Sequence, residues 1–98
     1  MANATPALIW VSDAPGRRVF HNRGWLEFTG RNLTDTIGDG WRADVHPDDL
    51  PRYLDIAAAD RRPYEVEYRL LRGDGRYRWI LEQVAPWGDE RDAGYVGG

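Results

Sequence analysis

Three side chains within four positions, His46, Asp48 and Asp49, are the constellation in this chain with a catalytic look. An imidazole beside two carboxylates can hold a divalent cation or act as a general base near neutral pH. The competing reading is structural. His46-Pro47-Asp48-Asp49 then makes a tight turn before a helix, with the histidine bonded locally and Asp48 or Asp49 capping the helix and opposing its dipole. That reading is preferred, because no third ligand cluster or nucleophile appears elsewhere in the sequence. His21 has the residue type of an axial haem ligand, but it closes a short strand. Cysteine is absent, which excludes disulfides, thiolate metal sites and any thiol carrying a chromophore. Gly38-Asp39-Gly40 lacks the strand-to-helix setting of a phosphate loop, and Arg72-Gly73-Asp74 reads as a hairpin turn.

The 98 residues are enough for one modest core, and five Trp, five Tyr and two Phe supply much of it. A net charge of −3 argues against a nucleic-acid surface. No apolar run approaches the ~20 residues that span a bilayer, so a cytoplasmic domain without membrane contact is expected. Neither a metal nor a cofactor is expected.

These residues need elements to position them. Tyr64–Arg72 and Arg76–Val84 are rich in aromatic and β-branched residues and flank Gly73-Asp74-Gly75, a strong hairpin signal. A two-residue turn at Asp74-Gly75 predicts Leu70 opposite Trp79 and Tyr68 opposite Leu81, and a buried Trp79. Leu71, Ile80 and Val84 then interrupt a charged outer face carrying Glu65, Glu67, Arg69, Arg78 and Glu82. Upstream, residues 1–6 read as a disordered lead, Ala7–Ser12 as a central strand, and Arg17–His21 as its hairpin partner. Asn22 is placed to cap a short helix, Arg23–Thr29, which Gly30 stops. Pro51 cannot sit deep in a helix begun at Pro47, so the main helix starts near Leu50 and runs to Asp60. Its buried stripe is Leu50, Tyr53, Leu54, Ala57 and Ala58. Gly88–Ala93 reads as an acidic loop, and Gly94 onward as a short, truncated last strand beside Ala7–Ser12. The order predicts one α+β domain over residues 7–98, with helices inserted between two hairpins.

Several fragments together resemble a PAS domain, of the subclass common in bacterial sensor kinases and cyclic-dinucleotide enzymes. They are Ala7–Asp13 with Gly16, Asn22 ahead of Trp25–Gly30, Gly38-Asp39-Gly40-Trp41, and Val45–Asp49. Glu67–Leu70 with Asp74-Gly75, Tyr77–Ile80, Pro86 and Gly94–Gly97 complete the set. The resemblance implies a five-stranded antiparallel sheet with helices on one face. It also implies a regulatory sensor of a multidomain signalling protein, non-catalytic itself, attached to an effector such as a histidine kinase or diguanylate cyclase. Relatives continue past this last glycine into an Asp-Ile-Thr-like end and a helical linker, so the chain is read as an excised module. The family's haem histidine lies on the long helix, where this chain has none, and its flavin photochemistry needs the missing cysteine. A haem or flavin sensor and a small metal-dependent enzyme built on His46, Asp48 and Asp49 are the alternatives.

Two surfaces are expected to matter. A cavity between helix and sheet, for a small-molecule ligand or packed shut, would be lined by Ile9, Val11, Trp25, Phe28, Trp41, Tyr53, Leu54, Ala57, Tyr68 and Trp79. The outer sheet face, with Leu71, Ile80 and Val84, would join two copies into a homodimer or meet the effector. Asn22, His46, Pro47, Asp48, Asp49, Asp74 and Gly75 are read as structural.

Overall fold

A computed structural model describes residues 7–14, 17–58, 62–87 and 94–97. The expected N-terminal lead, the acidic loop Gly88–Ala93, the last turn of the long helix and the final residue lie outside the described residues. The strands are β1 (Trp10–Ala14), β2 (Arg17–His21), β3 (Tyr64–Leu71), β4 (Tyr77–Trp87) and β5 (Gly94–Gly97). The helices are α1 (Arg23–Thr29), α2 (Leu33–Thr36) and α3 (Leu50–Ala57), with a 3-10 turn at Gly40–Asp44. The sheet order is β2-β1-β5-β4-β3, antiparallel throughout. This is the expected α+β arrangement, with β5 inserted between the two hairpins. Trp25 of α1, Trp41 of the 3-10 turn, and Tyr53 and Ala57 of α3 share one core with Trp10, Val66, Tyr68, Leu70 and Val84.

Local chemistry sets the helix ends. Asn22 Oδ1 accepts from Trp25 N at 2.9 Å, and Gly30 closes α1 in the left-handed region at φ 71°. A side chain at Gly30 would also press on the Gly73 backbone, 3.4 Å from where its Cβ would stand. This contact and the bond from Gly73 N to Phe28 O (2.8 Å) dock the end of α1 on the hairpin turn. Helix α3 begins after Asp49, as the prolines require, but Asp49 makes no side-chain cap bond. Its carboxylate instead accepts from Arg69 N (2.8 Å), Nε (2.9 Å) and Nη2 (2.8 Å), tying the helix start to β3. The expected cap is therefore a cross-element clamp.

The hairpin register differs from the sequence expectation by one residue. Arg72 N bonds Arg76 O at 2.8 Å, leaving Gly73-Asp74-Gly75 as a three-residue turn. The Asp74 carboxylate braces it, accepting from Arg76 N and pairing with the Arg72 guanidinium. Leu70 consequently faces Arg78, Tyr68 faces Ile80 and Val66 faces Glu82. A slip of one reverses every β4 side chain. Trp79 and Leu81 are 64% and 57% exposed on the outer face, whereas Val84 and Glu82 are 2% and 1% exposed. Trp79 thus leaves the expected cavity. Val84 leaves the expected outer surface for the core, and Ile80 turns with it to pack against the same core. Leu71, opposite Tyr77, keeps its place on the outer face.

The first hairpin is irregular too. Val11 pairs with Phe20 and Ser12 with Arg18, so Val19 is an extra, bulged residue. The bulge turns Arg18 and His21 inward together and leaves Val19 and Phe20 exposed. On β1 the buried positions are Trp10 and Ser12. Ile9 is exposed and Val11 only half-buried, so neither lines the interior as expected. Asn22 fixes this phase: Ile9 N donates to its Oδ1 (3.0 Å), and its Nδ2 donates to Ala7 O (2.9 Å).

The register predicts two unequal truncations. Leu70→Ala should cost ~2–5 kcal/mol in urea melts, as loss of a fully buried side chain. Trp79→Ala should cost less than ~1 kcal/mol, as an exposed position held by a cation–π contact. Equal losses would contradict the three-residue turn.

Candidate functional site

The inward faces of β1, β2, β3 and β4 bring an indole, a guanidinium, an imidazole, a phenol and a carboxylate under the sheet. Glu82 of β4 is buried and accepts three hydrogen bonds. Trp10 Nε1 donates to Oε1 at 2.7 Å, the Tyr68 hydroxyl to Oε1 at 2.8 Å, and the Tyr53 hydroxyl to Oε2 at 2.5 Å. Arg18 of β2 is 2% exposed. Its Nη2 donates to the Tyr53 hydroxyl at 2.7 Å and its Nη1 to His21 Nε2 at 3.2 Å. One phenol oxygen thus stands between a buried cation and a buried carboxylate. Removing a charge partner in such a network leaves the other unmatched in a poor dielectric.

Aromatic rings enclose the cation. The Arg18 Cζ lies 3.8 Å from the Trp41 ring centre, 4.0 Å from Trp10, 5.0 Å from Trp25 and 5.9 Å from Tyr53. The Tyr53 ring in turn meets Tyr68 edge-on at 4.9 Å and Trp41 at 5.3 Å. Burial, with the Glu82 charge adding to it, raises the Tyr53 and Tyr68 hydroxyls well above the ordinary phenol range, so both stay protonated as donors.

A guanidinium only donates. His21 Nε2 must therefore accept, and the ring proton resides on Nδ1. Burial first, and Arg18 second, lower the His21 pKa from 6.5 to about 3. His21 Nδ1 and Trp25 Nε1 are buried without a hydrogen-bond partner among the described residues, and the two rings lie 4.7 Å apart.

Of the cavity residues expected from sequence, Trp25, Trp41, Tyr53, Ala57 and Tyr68 are buried here, with Phe28 and Leu54 packed partly buried against them. Arg18, His21, Trp10 and Glu82 were not foreseen as part of it. Arg18-Val19-Phe20-His21 carries a faint signal, since a bulge is the device that buries both polar ends of that run. His46, Asp48 and Asp49 are not gathered into a ligand set. Asp48 N donates to His46 Nδ1 at 3.1 Å, the His46 ring rests on Tyr77, and Asp49 turns away to Arg69.

The strand order, with the helices packed over a buried polar network, defines an α+β module whose polar groups gather inside rather than at the surface. A family model described as the PAS fold matches residues 18–97, and the chain belongs to that family. An uncharacterised protein of Sinorhizobium fredii, y4lL, is 37% identical over 89 residues, covering 88% of this chain and 11% of that protein. The peroxide stress-activated histidine kinase mak3 of Schizosaccharomyces pombe is 33% identical over 72 residues, covering 69% of this chain and 3% of the kinase. The chain spans only a small part of these curated relatives. Among solved structures, a domain of a putative light and redox sensing histidine kinase from Haloarcula marismortui superposes with a TM-score of 0.79. It covers 97% of this chain and 88% of its own, at 20% identity, which is a likeness of fold.

Two tests follow from the network. Glu82→Ala should cost ~3–5 kcal/mol, because Arg18 then keeps its buried charge without a counterpart. The pH response should fall into two windows. His21, with its pKa held down in the fold, contributes stability that is complete above pH 6.5 and declines as pH falls toward 3. Asp49, lowered from 3.8 to about 2 chiefly by its hydrogen bond from Arg69, loses its contribution only between those values. In urea melts across pH, His21→Gln should flatten the upper decline, and Asp49→Asn only the part below about pH 4.

Proposed function

We propose that this domain is a cytoplasmic regulatory module, without catalysis of its own, that relays a change in its interior to an attached effector such as a histidine kinase. The observation that carries the reading is the connection from core to outer face. Helix α3 places Tyr53 in the buried network and, four residues earlier, Asp49 on Arg69. The Arg69 guanidinium sits 5.1 Å from the Trp79 ring, on the exposed side of the sheet. A shift of α3 therefore reaches both faces. The kinase relatives support an effector of that class, and a diguanylate cyclase suits the same relay.

The outer face is the surface we assign to self-association and to the effector. Trp79 and Leu81 stand exposed there beside Glu67 and Arg69, an apolar strip with both charges at hand for a twofold partner. The strip differs from the one the sequence suggested, since Ile80 and Val84 have turned inward. Among the described residues no helix is long and apolar enough to cross a membrane.

Light scattering at tens of micromolar should give a dimer mass, and the double variant Trp79→Glu, Leu81→Glu a monomer with an unchanged circular dichroism spectrum. A monomeric parent removes the self-association half of the proposal. Fused ahead of a kinase effector, Arg69→Ala should change autophosphorylation at least threefold. An unchanged rate would remove the relay.

A further inference from the structure

The Arg18 guanidinium occupies the arrangement by which proteins recognise organic cations. Four aromatic rings surround its Cζ, two of them at 4.0 Å or closer. Cages of this kind hold cations through the electron-rich ring faces, and the attraction grows as water is excluded. Its two hydrogen-bond partners, His21 Nε2 and the Tyr53 hydroxyl, are neutral groups. The carboxylate of Glu82 is one hydroxyl further away and already accepts three hydrogen bonds. Rings and neutral acceptors, rather than direct contact with a carboxylate, therefore receive this cation.

The backbone is arranged to deliver it. The bulge at Val19 leaves two apolar side chains, Val19 and Phe20, in solvent while Arg18 goes inside. Burying hydrophobic groups alone would favour the opposite choice. Strand β2 is also the edge of the sheet, held on its outer side by a single bridge, Arg18 to Gly38. That bridge holds Arg18 itself, through Arg18 N to Gly38 O (3.1 Å) and Gly38 N to Arg18 O (2.6 Å), so the backbone is fixed where the cation enters.

We propose that the space beneath the sheet is a cation site of the aromatic-cage type, selective for a planar guanidinium, and that Arg18 fills it as a ligand tethered to β2. The class of molecule that can take its place is a small alkylguanidinium. The cage stands on its own geometry, so this inference holds whatever effector the module serves.

Chemical complementation tests it. Arg18→Ala should melt at a lower temperature than the parent. N-ethylguanidinium at millimolar concentration should raise that melting temperature saturably, by at least about 4 °C, and leave the parent unmoved. N-ethylurea, of like shape but neutral, should give no shift. Equal effects of the two compounds, or equal shifts of parent and variant, would overturn the cation site. So would no shift of a folded variant. Should the variant not fold, the intact protein decides. Ring currents from Trp10 and Trp41 should move the Arg18 Cδ protons far upfield in its NMR spectrum, with a slowly exchanging Nε–H. Resonances at the ordinary arginine position would refute the cage.

Discussion

The phenol oxygen of Tyr53 is the point on which the interior depends. It accepts from Arg18 and donates to Glu82, so it is bonded at once to the buried cation and the buried anion. The three residues come from β2, α3 and β4, and Trp10 and Tyr68 add β1 and β3 through the same carboxylate. An ion pair taken out of water is seldom a large net source of stability, but its geometry is demanding once formed. Each partner has a narrow set of directions in which its hydrogen bonds are met. The network therefore specifies how the helix sits on the sheet more than it strengthens the fold. Trp25, Trp41, Val66 and Leu70 belong to the buried apolar cluster around it.

A second clamp lies near the edge of the same helix. Asp49 and Arg69 fix the start of α3 to β3 through three hydrogen bonds, one of them to the backbone. Together the two connections hold α3 at its first residues and at its middle. The start and the middle of α3 are thus tied to β3 and β4, the strands that carry the exposed aromatic face, and the middle also to β2. A sensor joined to an effector needs that kind of coupling between inside and outside.

Much of the architecture was readable in the residues. Asn22 and Gly30 bracket α1, Pro47 and Pro51 place the start of α3, and the composition of Arg17–His21 marks β2, because each rests on chemistry local to a few positions. The misses share a different cause. Strand β4 reads almost equally well in either phase, since apolar groups occur on both, at Trp79 and Leu81 and at Ile80 and Val84. The choice falls to Asp74, whose carboxylate braces a three-residue turn. On β2, an unpaired Val19 defeats the alternation that would have sent Arg18 and His21 to opposite faces. A buried arginine or glutamate also has no periodic signature of its own. Arg18 and Glu82 are justified by partners on other elements, such as Tyr53 for Arg18 and Trp10 for Glu82.

The turn at Gly73–Gly75 fixes which face of β4 is inside. A slip of one residue against β3 would send Glu82 and Val84 to solvent and Trp79 and Leu81 into the cage of aromatic rings. A residue gained in the loop is accommodated where the loop lengthens and the pairing stays, so descendants of this sequence can vary the turn provided that Leu70 still faces Arg78.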